Sequence, residues 1–375
     1  MEVQNKAIII DNGSGIMKAG FAGDDLPKVK FPTIIGRLRH EEIMIGVETQ
    51  DLYIGNEAIK RKGFCTINYP IENGIVKNWD EMEKILNHIL DSELKIKSED
   101  HPFLLTEPPF NPKINREKTT QIMFETFDIP AFYVASQGFL SVYSSGKNIA
   151  MNIEIGDGIC YTFPYYNGYT LRNGITRTNI GGRNLTDYLV RILTERDYFF
   201  ESTGDKEIVK DIKEKLCYVS IDFDKEMEKS QDSSIEKNYD LPDGNILSIG
   251  NERFRIPEVL FKPNLIGKEK KGIHQMIYDS IFKCDLDLRN QLFENILLTG
   301  GSSLFPGIVE RIKSEIAKLA PDSLNINIDA PSNREYSVWI GGSILASLST
   351  FQNKWISKEE YEEFGPSITY QKCFY

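Results

Sequence analysis

Residues 7–18 read AIIIDNGSGIMK, in which four apolar residues run directly into an acid, two glycines, a serine and a lysine. A buried strand that ends in such a turn can bring backbone N–H groups up to a phosphate, because glycine has no Cβ to obstruct the approach. The pattern returns in altered form as NIEIGDG at 152–158, and a third glycine turn, LLTGGSS at 297–303, follows another short apolar stretch. Taken singly, each reads as well as a plain tight turn. Neither GxxxxGKS nor GxGxxG spacing occurs, so the two commonest nucleotide-binding loops are not supported. The weight lies in the recurrence: acid, glycine and small polar residues follow apolar strands in both halves, which suggests a nucleotide gripped between two related halves.

A chain of 375 residues is long for one hydrophobic core and favours two domains. With 41% hydrophobic and 26% charged residues it has the mix of a folded globular protein. A net charge of −11 with no long Lys/Arg run argues against a nonspecific hold on nucleic acid and favours basic partner surfaces. The opening MEVQNKAIIID has neither a basic leader nor an apolar run of signal-peptide length, and no window approaches the ~20 apolar residues of a membrane helix. Cys65, Cys160, Cys217, Cys284 and Cys373 are odd in number and lack CxxC spacing, so free thiols in the cytoplasm or nucleus are expected. His40, His88, His101 and His274 have no ligand-spaced partner, which argues against structural zinc. No GxSxG elbow supports a serine hydrolase.

Outward from the opening stretch, short apolar runs alternate with helical periodicity, the signature of α/β layering. NWDEMEKILNHILDSEL at 78–94 repeats Met82, Ile85, Leu86, Ile89 and Leu90 at helical spacing behind Asn78 as N-cap. FLLTEPPFNP at 103–112 reads as a buried strand stopped by prolines, 115–127 as a helix capped by Asn115, and 131–146 as strand, turn and helix. The second half restarts at NIEIGDG, with ICYTFPYYNGY as its hairpin partner. Helices at 186–193 and 206–219, a polar solvated insertion at 224–238 and a hairpin around Asp243 and Gly244 follow. A helix at 306–320, a strand at 324–330 and a small-residue helix at 339–351 come last. Residues 39–52 hold Ile43, Met44, Ile45 and Val47 among polar neighbours, an exposed loop with something to bury. The chain leaves its first half near 145 and returns near 337, and paired crossings make a hinge.

Gly13, Ser14 and Gly15 offer a phosphate cradle and Lys18 a cation within reach. Asp11, Glu154 and Asp157 suit a hydrated divalent ion, since Mg²⁺ keeps most of its waters and takes one or two carboxylates.

Longer strings carry more than these turns. DNGSG at 11–15, KAGFAGDD at 18–25, LLTEPPFNPKINREKTTQIMFETF at 104–127, EIVKDIKEKLCYV at 207–219, LPDGNILSIGNERFR at 241–255, YSVWIGGSILASLSTF at 336–351 and GPSITYQKCF at 365–374 lie in order along the chain. Over essentially its whole length the sequence resembles actin. The resemblance implies an α/β fold of two RNase-H-like domains flanking a nucleotide cleft. The first, outer domain would span 1–144 plus 337–375, with 33–69 as an inserted subdomain; the second, inner domain would span 145–336, with 181–269 inserted. ATP or ADP with Mg²⁺ (or Ca²⁺) would occupy the cleft, its phosphates between Gly13, Ser14, Gly15 and Lys18 on one side and Gly156, Asp157 and Gly158 on the other. Asp11 and Glu154 would order the metal, mainly through water, and Gln137 would orient the attacking water with Tyr161 at its side. Lys213 and Glu214 would approach the ribose and base, Gly300, Gly301, Phe305 and Glu335 the adenine side, and Gly182 and Lys210 would also bind the cofactor. Implied partners are further copies of the chain in head-to-tail filaments, with the 39–52 loop inserting into the next subunit. Regulators would bind at a hinge groove lined by Tyr143, Gly146, Gly168, Tyr169, Leu345 and Lys354. No direct nucleic-acid contact or membrane insertion is implied, and the expected place is the cytoplasmic cytoskeleton.

The departures from actin are specific. Glu154 stands where actins have Asp, Ile155 where they have Ser or Thr, and Tyr161 where they have a water-positioning His. A phenol with an ordinary pKa near 10 is a poor proton acceptor at neutral pH. Ile155 is expected to remove a hydroxyl from the phosphate loop, and Glu335 to exchange a cation beside the adenine for a carboxylate. Asn73 replaces a histidine that is methylated in most actins. Lys268 and Lys354 replace apolar residues, the first raising the prospect of an unpaired buried charge. The acidic N-terminal cluster is reduced to Glu2.

Three functions follow as expectations: an ATP-binding filament protein with at most a slow Mg-dependent ATPase; a nonfilament subunit that keeps nucleotide as a structural element of a larger complex; and a sugar or acetate kinase of the same superfamily.

Overall fold

The apolar opening run folds as the strand Ile8–Asn12, antiparallel to Ile16–Phe21 on one side and parallel to Phe103–Glu107 on the other. Phe103–Glu107 pairs in parallel with Ala131–Ser136, and Val29–Pro32 and Ile356–Ser357 complete a six-stranded sheet. Ile8, Ile9 and Ile10 are at most 1% exposed. An apolar run without alternation demands this, since such a strand must be covered on both faces. The computed structural model describes residues 6–39, 52–230, 235–321 and 323–373. The loop carrying Ile43, Met44, Ile45 and Val47 lies outside them, as does Glu2.

The second half repeats the plan. Ile149–Ile155 runs antiparallel to Cys160–Tyr166 and parallel to Ile296–Thr299, which is parallel in turn to Ile328–Asp329. Each sheet is thus a hairpin followed by parallel strands, so the recurrence seen in the sequence is a recurrence of structure. Each has its own apolar core, the first built around Ile9, Phe103 and Phe132, the second around Ile153, Leu298 and Ile312. The molecule is a two-domain α/β fold. A third, three-stranded sheet of Ile35–Leu38, Leu52–Ile54 and Cys65–Asn68 packs around Ile34, Tyr53, Ala58, Cys65 and Ile67. The apolar residues between 181 and 269, among them Leu189, Val209 and Leu247, join the second core.

The helices follow the sequence pattern with local corrections. Asn78 caps Trp79–Asn87 by accepting from the Glu81 N–H, and the helix continues as the wider π turn His88–Leu94. Asn115 is not a cap: Lys113–Glu125 begins behind Pro112, whose fixed φ suits a helix entry and whose missing N–H costs nothing there. Strand Ala131–Ser136 passes into helix Gln137–Ser144 without the expected turn. The polar stretch at 224–238 is not uniformly a solvated insertion. It forms the helix Phe223–Lys229, which Asp222 caps through the Lys225 N–H, and then enters the hairpin Lys237–Asp240/Ile246–Ile249. The last expected strand shrinks to Ile328–Asp329. Lys268 does not bury an unpaired charge: it is partly exposed and donates to the Asn179 carbonyl at 3.0 Å. All five cysteines are buried free thiols. Among the described residues no helix is long and apolar enough to cross a membrane.

The chain passes between the halves at the end of helix Gln137–Ser144 and at the start of helix Ser337–Ser347, and these two helices cross each other against the first core. A Cβ on Gly341 would sit 2.0 Å from the Leu140 carbonyl oxygen, so the crossing closes only over glycine. Trp339, fully buried beside it, donates its indole N–H to the Ile9 carbonyl at 3.1 Å and ties the crossing to the opening strand. Gly341→Ala is expected to cost about 1–3 kcal/mol, the usual cost of overpacking a close-packed site. A urea unfolding midpoint equal to that of the parent would contradict the tight crossing.

Candidate functional site

The strand ends of the two hairpins meet. A Cβ on Gly15 would lie 2.6 Å from the Asp157 Cβ, and one on Gly158 would lie 2.7 Å from the Ser14 Oγ. The two glycine turns therefore touch at a distance that side chains would prevent. Four backbone N–H groups here, those of Ser14, Gly15, Asp157 and Gly158, have no hydrogen-bond acceptor among the described residues. Unsatisfied donors converging from two turns are an anion cradle. Arg183 holds the turns together, donating to the Ser14 carbonyl at 2.8 Å and the Asp157 carboxylate at 3.2 Å, with a further contact to the Ile71 carbonyl at 3.3 Å.

Each hairpin carries one acid at its strand end, directly opposite a residue seven positions on. In the first, Asp11 stands across from Lys18, whose Nζ lies 2.8 Å from Oδ2. In the second, Glu154 stands across from Tyr161, whose hydroxyl donates to Oε2 at 2.7 Å. Opposed residues on one face of an antiparallel pair are close enough to couple in this way. The first half thus offers a charged pair and the second a carboxylate held by a neutral donor. Ser141 also donates to the same Glu154 oxygen, at 3.0 Å. Burial holds the Glu154 carboxyl above the usual carboxylate range, with the neighbouring Asp11 adding to it against the bonds from Tyr161 and Ser141. Burial, and then Glu154, push the Tyr161 phenol well above its ordinary value. Tyr161 is 1% exposed and engaged as a donor, so it cannot serve as a proton acceptor near neutrality. Its ring also belongs to a small core with Val142, Phe163 and Leu297.

Gln137 opens the helix at the domain crossing, and its Nε2 lies 3.3 Å from Thr106 Oγ1 and 3.5 Å from Asp11 Oδ1. Thr106 donates to the same Asp11 oxygen at 2.9 Å. Asp11 is 2% exposed, and these partners fix it at the cleft floor. Asn12 Oδ1 is buried and has no partner among the described residues.

These groups line a cleft of about 270 Å³ between the two sheets, close to the lower end, roughly 300 Å³, of the size range of small-molecule sites. It takes in every site residue expected from sequence except Gly182. Gly182 stands one layer behind: its carbonyl accepts from Lys213 Nζ at 2.8 Å, and a Cβ there would meet Ser302 Oγ at 2.5 Å. Lys213 also donates to Thr186 Oγ1 at 2.9 Å, and burial lowers its ammonium below the usual lysine range, opposed by Asp157 and Glu214. Lys210 is held above that range in spite of burial, by Glu207, Asp157 and Glu214. Glu214 is exposed at the rim. Gly300, Gly301 and Phe305 form the wall opposite, with Leu304 and Val338 adding apolar surface.

Two expectations change. Ile155 does not strip a hydroxyl from the phosphate loop, because its side chain is fully buried in the second core and is absent from the cleft lining. Glu335 does not leave its side of the cleft without a cation. Lys30, on the strand Val29–Pro32, donates to Glu335 Oε2 at 2.7 Å and to the Tyr336 hydroxyl at 3.1 Å, and lines the same cleft. Burial works against the Lys30 charge, but the bonds to Glu335 and Tyr336 prevail and raise its pKa. Sequence reasoning missed Lys30, Thr106 and Arg183. The alternation in Val29, Lys30 and Phe31 marked a residue turned away from the core, whereas nothing local marked Thr106 or Arg183. Of the expected groove residues, Tyr143 and Leu345 lie on the crossing helices, Gly146 and Gly168 adopt positive φ in the connecting turns, Tyr169 is 75% exposed and Lys354 is exposed.

The residue set fits a nucleotide with a hydrated divalent ion. Free N–H groups and Lys18 suit phosphate, and the Asp11 and Glu154 oxygens, with the unpartnered Asn12 Oδ1, suit metal-bound water. The apolar wall around Phe305 suits a base. Among models of protein families, the one described as Actin matches residues 2–374, nearly the whole chain.

Proposed function

The chain belongs to the actin family, and from that premise we propose that it is an ATP-binding cytoskeletal protein that assembles into head-to-tail filaments and cuts its nucleotide slowly. Proteins of this family generally bind nucleotide with a divalent cation, self-associate and are cytoskeletal. The observation that carries the nucleotide is the contact of the two glycine turns, with four free N–H groups between them. Gly13, Ser14, Gly15 and Lys18 hold phosphate from the first domain; Gly156, Asp157 and Gly158 hold it from the second. Asp11 and Glu154 order the waters of Mg²⁺ or Ca²⁺. Lys210, Lys213, Glu214 and Phe305 border the ribose and base, and the Lys30–Glu335 pair closes that side. The bound metal supplies charge neutralisation along the phosphates. The proposed domains are 1–144 with 337–375, carrying 33–69 as an inserted subdomain, and 145–336, carrying 181–269.

Gln137 is the residue that orients a water, held by Thr106 and Asp11. A second group is needed to take the proton. The Tyr161 hydroxyl is committed as a donor to Glu154, and Glu154 accepts from two hydroxyls on one oxygen. Binding is therefore retained while proton transfer is impaired.

A contact between unlike surfaces that does not close on itself propagates as a filament. Sedimentation of purified protein with Mg-ATP over a concentration series tests this, with polymer expected to pellet above a threshold concentration. Absence of polymer at every concentration contradicts the filament. The Tyr161–Glu154 lock gives a second reading some support: a nucleotide that is never cut can serve as a structural element of a larger assembly. That reading requires a stoichiometric complex on purification from the native source.

A further inference from the structure

Outside the cleft, the strand Thr176–Thr178, the loop bearing Lys270 and Lys271, and the helix Ile273–Phe282 enclose an open groove of about 540 Å³. Its lining reverses the charge of the chain. Arg177, Lys270, Lys271 and Lys283 gather against a single acid, Asp279, in a protein of net charge −11. That acid is already committed, in a close ion pair with Lys271. Lys270 and Lys283 have no carboxylate at ion-pair distance among the described residues, and both are exposed. Two of the five Arg177 N–H groups donate to the carbonyls of Pro109 and Asn73, each at 2.6 Å, which fixes the guanidinium so that it adds positive charge to the groove.

Behind the groove lining lies an unmet polar group. Thr178 Oγ1 is buried and has no hydrogen-bond partner among the described residues, whereas the Thr176 hydroxyl in the same lining is shared with Thr162 at 2.7 Å. A buried hydroxyl without a partner is unfavourable and is expected to be met by something not supplied by the chain. Phe282, 40% exposed and stacked on Tyr278, gives the groove an apolar rim. Exposed ammonium groups without carboxylate partners, such as Lys270 and Lys283, are recognition elements for phosphate oxygens.

We propose that this groove binds a compact phosphate-bearing anion, with the unpaired Lys270 and Lys283 meeting its oxygens and Lys271 and Arg177 adding positive charge. The site is separate from the nucleotide cleft and does not depend on what that cleft holds. The same chemistry is offered by a free phosphorylated compound and by a phosphorylated lipid headgroup.

Inorganic pyrophosphate is the probe, titrated calorimetrically into the full-length protein with and without excess Mg-ATP. One saturable equivalent is expected that survives excess ATP. In the Lys270→Ser/Lys271→Ala variant it is expected to weaken by roughly tenfold or more, as loss of charge-assisted bonds implies. Asp279→Asn, which releases Lys271, is expected to tighten it. These are exposed or half-exposed positions, and matched thermal unfolding of parent and variants checks that the fold is unchanged. Vesicle capture that pyrophosphate displaces assigns the natural ligand to a headgroup; pyrophosphate binding without vesicle capture assigns a free compound. Absence of saturable binding overturns the proposal, as does binding that ATP abolishes and the lysine substitutions leave untouched.

Discussion

Asp11→Ala is expected to weaken Mg-nucleotide binding by roughly a hundredfold or more, equivalent to about 3 kcal/mol. Asp11 is 2% exposed and holds three partners: Lys18 at 2.8 Å, Thr106 at 2.9 Å and Gln137 at 3.5 Å. Its removal leaves the Lys18 ammonium, with a side chain only 11% exposed, without a counter-charge. A buried cation stripped of its partner is strongly unfavourable. The same substitution removes one of the two carboxylates proposed to face metal-bound water, and Gln137 loses part of its support. Equilibrium titration with a fluorescent ATP analogue, with and without Mg²⁺, measures the effect. Asp11→Asn keeps the hydrogen bond to Thr106 while losing the charge, so the metal dependence should disappear in it even where residual affinity remains. Unchanged affinity with an intact Mg²⁺ dependence in either variant contradicts the assignment of Asp11.

Arg311→Ala is expected to cost about 3–5 kcal/mol of folding stability, the range for breaking a buried ion pair. Arg311 and Glu258 are 3% and 1% exposed and meet through two parallel bonds, at 2.9 and 3.0 Å. Arg311 also donates to the Ser220 carbonyl at 2.7 Å and to Glu315 at 2.8 Å. These bonds knit helix Ile308–Leu319 to the segment at 216–262. Truncation of the arginine strands Glu258 in a core where, among the described residues, Lys262 at 3.2 Å is its one remaining cationic partner. Urea unfolding of Arg311→Ala should therefore shift strongly. A double variant, Arg311→Met with Glu258→Leu, replaces both charges with apolar bulk and should recover much of the loss. A single variant within about 1 kcal/mol of the parent contradicts a buried pair of this weight.

The parts of the fold legible in the sequence were those with a local signature. The uninterrupted run Ile8–Ile10 required a doubly covered strand, and the echo of DNGSG in EIGDG revealed a repeat that the paired hairpins realise. Asn78 carried its cap in its residue type, but Asn115 did not, because Pro112, three positions earlier, supplied the helix entry. Most of the candidate site was legible for the same reason, since strand ends and glycine turns are local features. What lay hidden was cross-chain. Ile155 was misread because strand register, not motif position, decides which way a side chain points. Glu335 suggested a lost cation because its partner, Lys30, is 305 residues away. The bond between Tyr161 and Glu154 was implicit in a spacing shared with Asp11 and Lys18, a symmetry that only the register exposes.

The central claim is that the cleft holds Mg-ATP but cuts it slowly, because Tyr161 is locked as a donor onto Glu154. Single-turnover release of phosphate from stoichiometrically bound ATP, compared between the parent and Glu154→Asp/Tyr161→His, tests it most directly. The predicted result is full ATP occupancy in both, with release in the double variant faster by roughly tenfold or more, as restoration of a positioned proton acceptor implies. Equal release rates at equal occupancy, or a parent that binds no ATP, would contradict it.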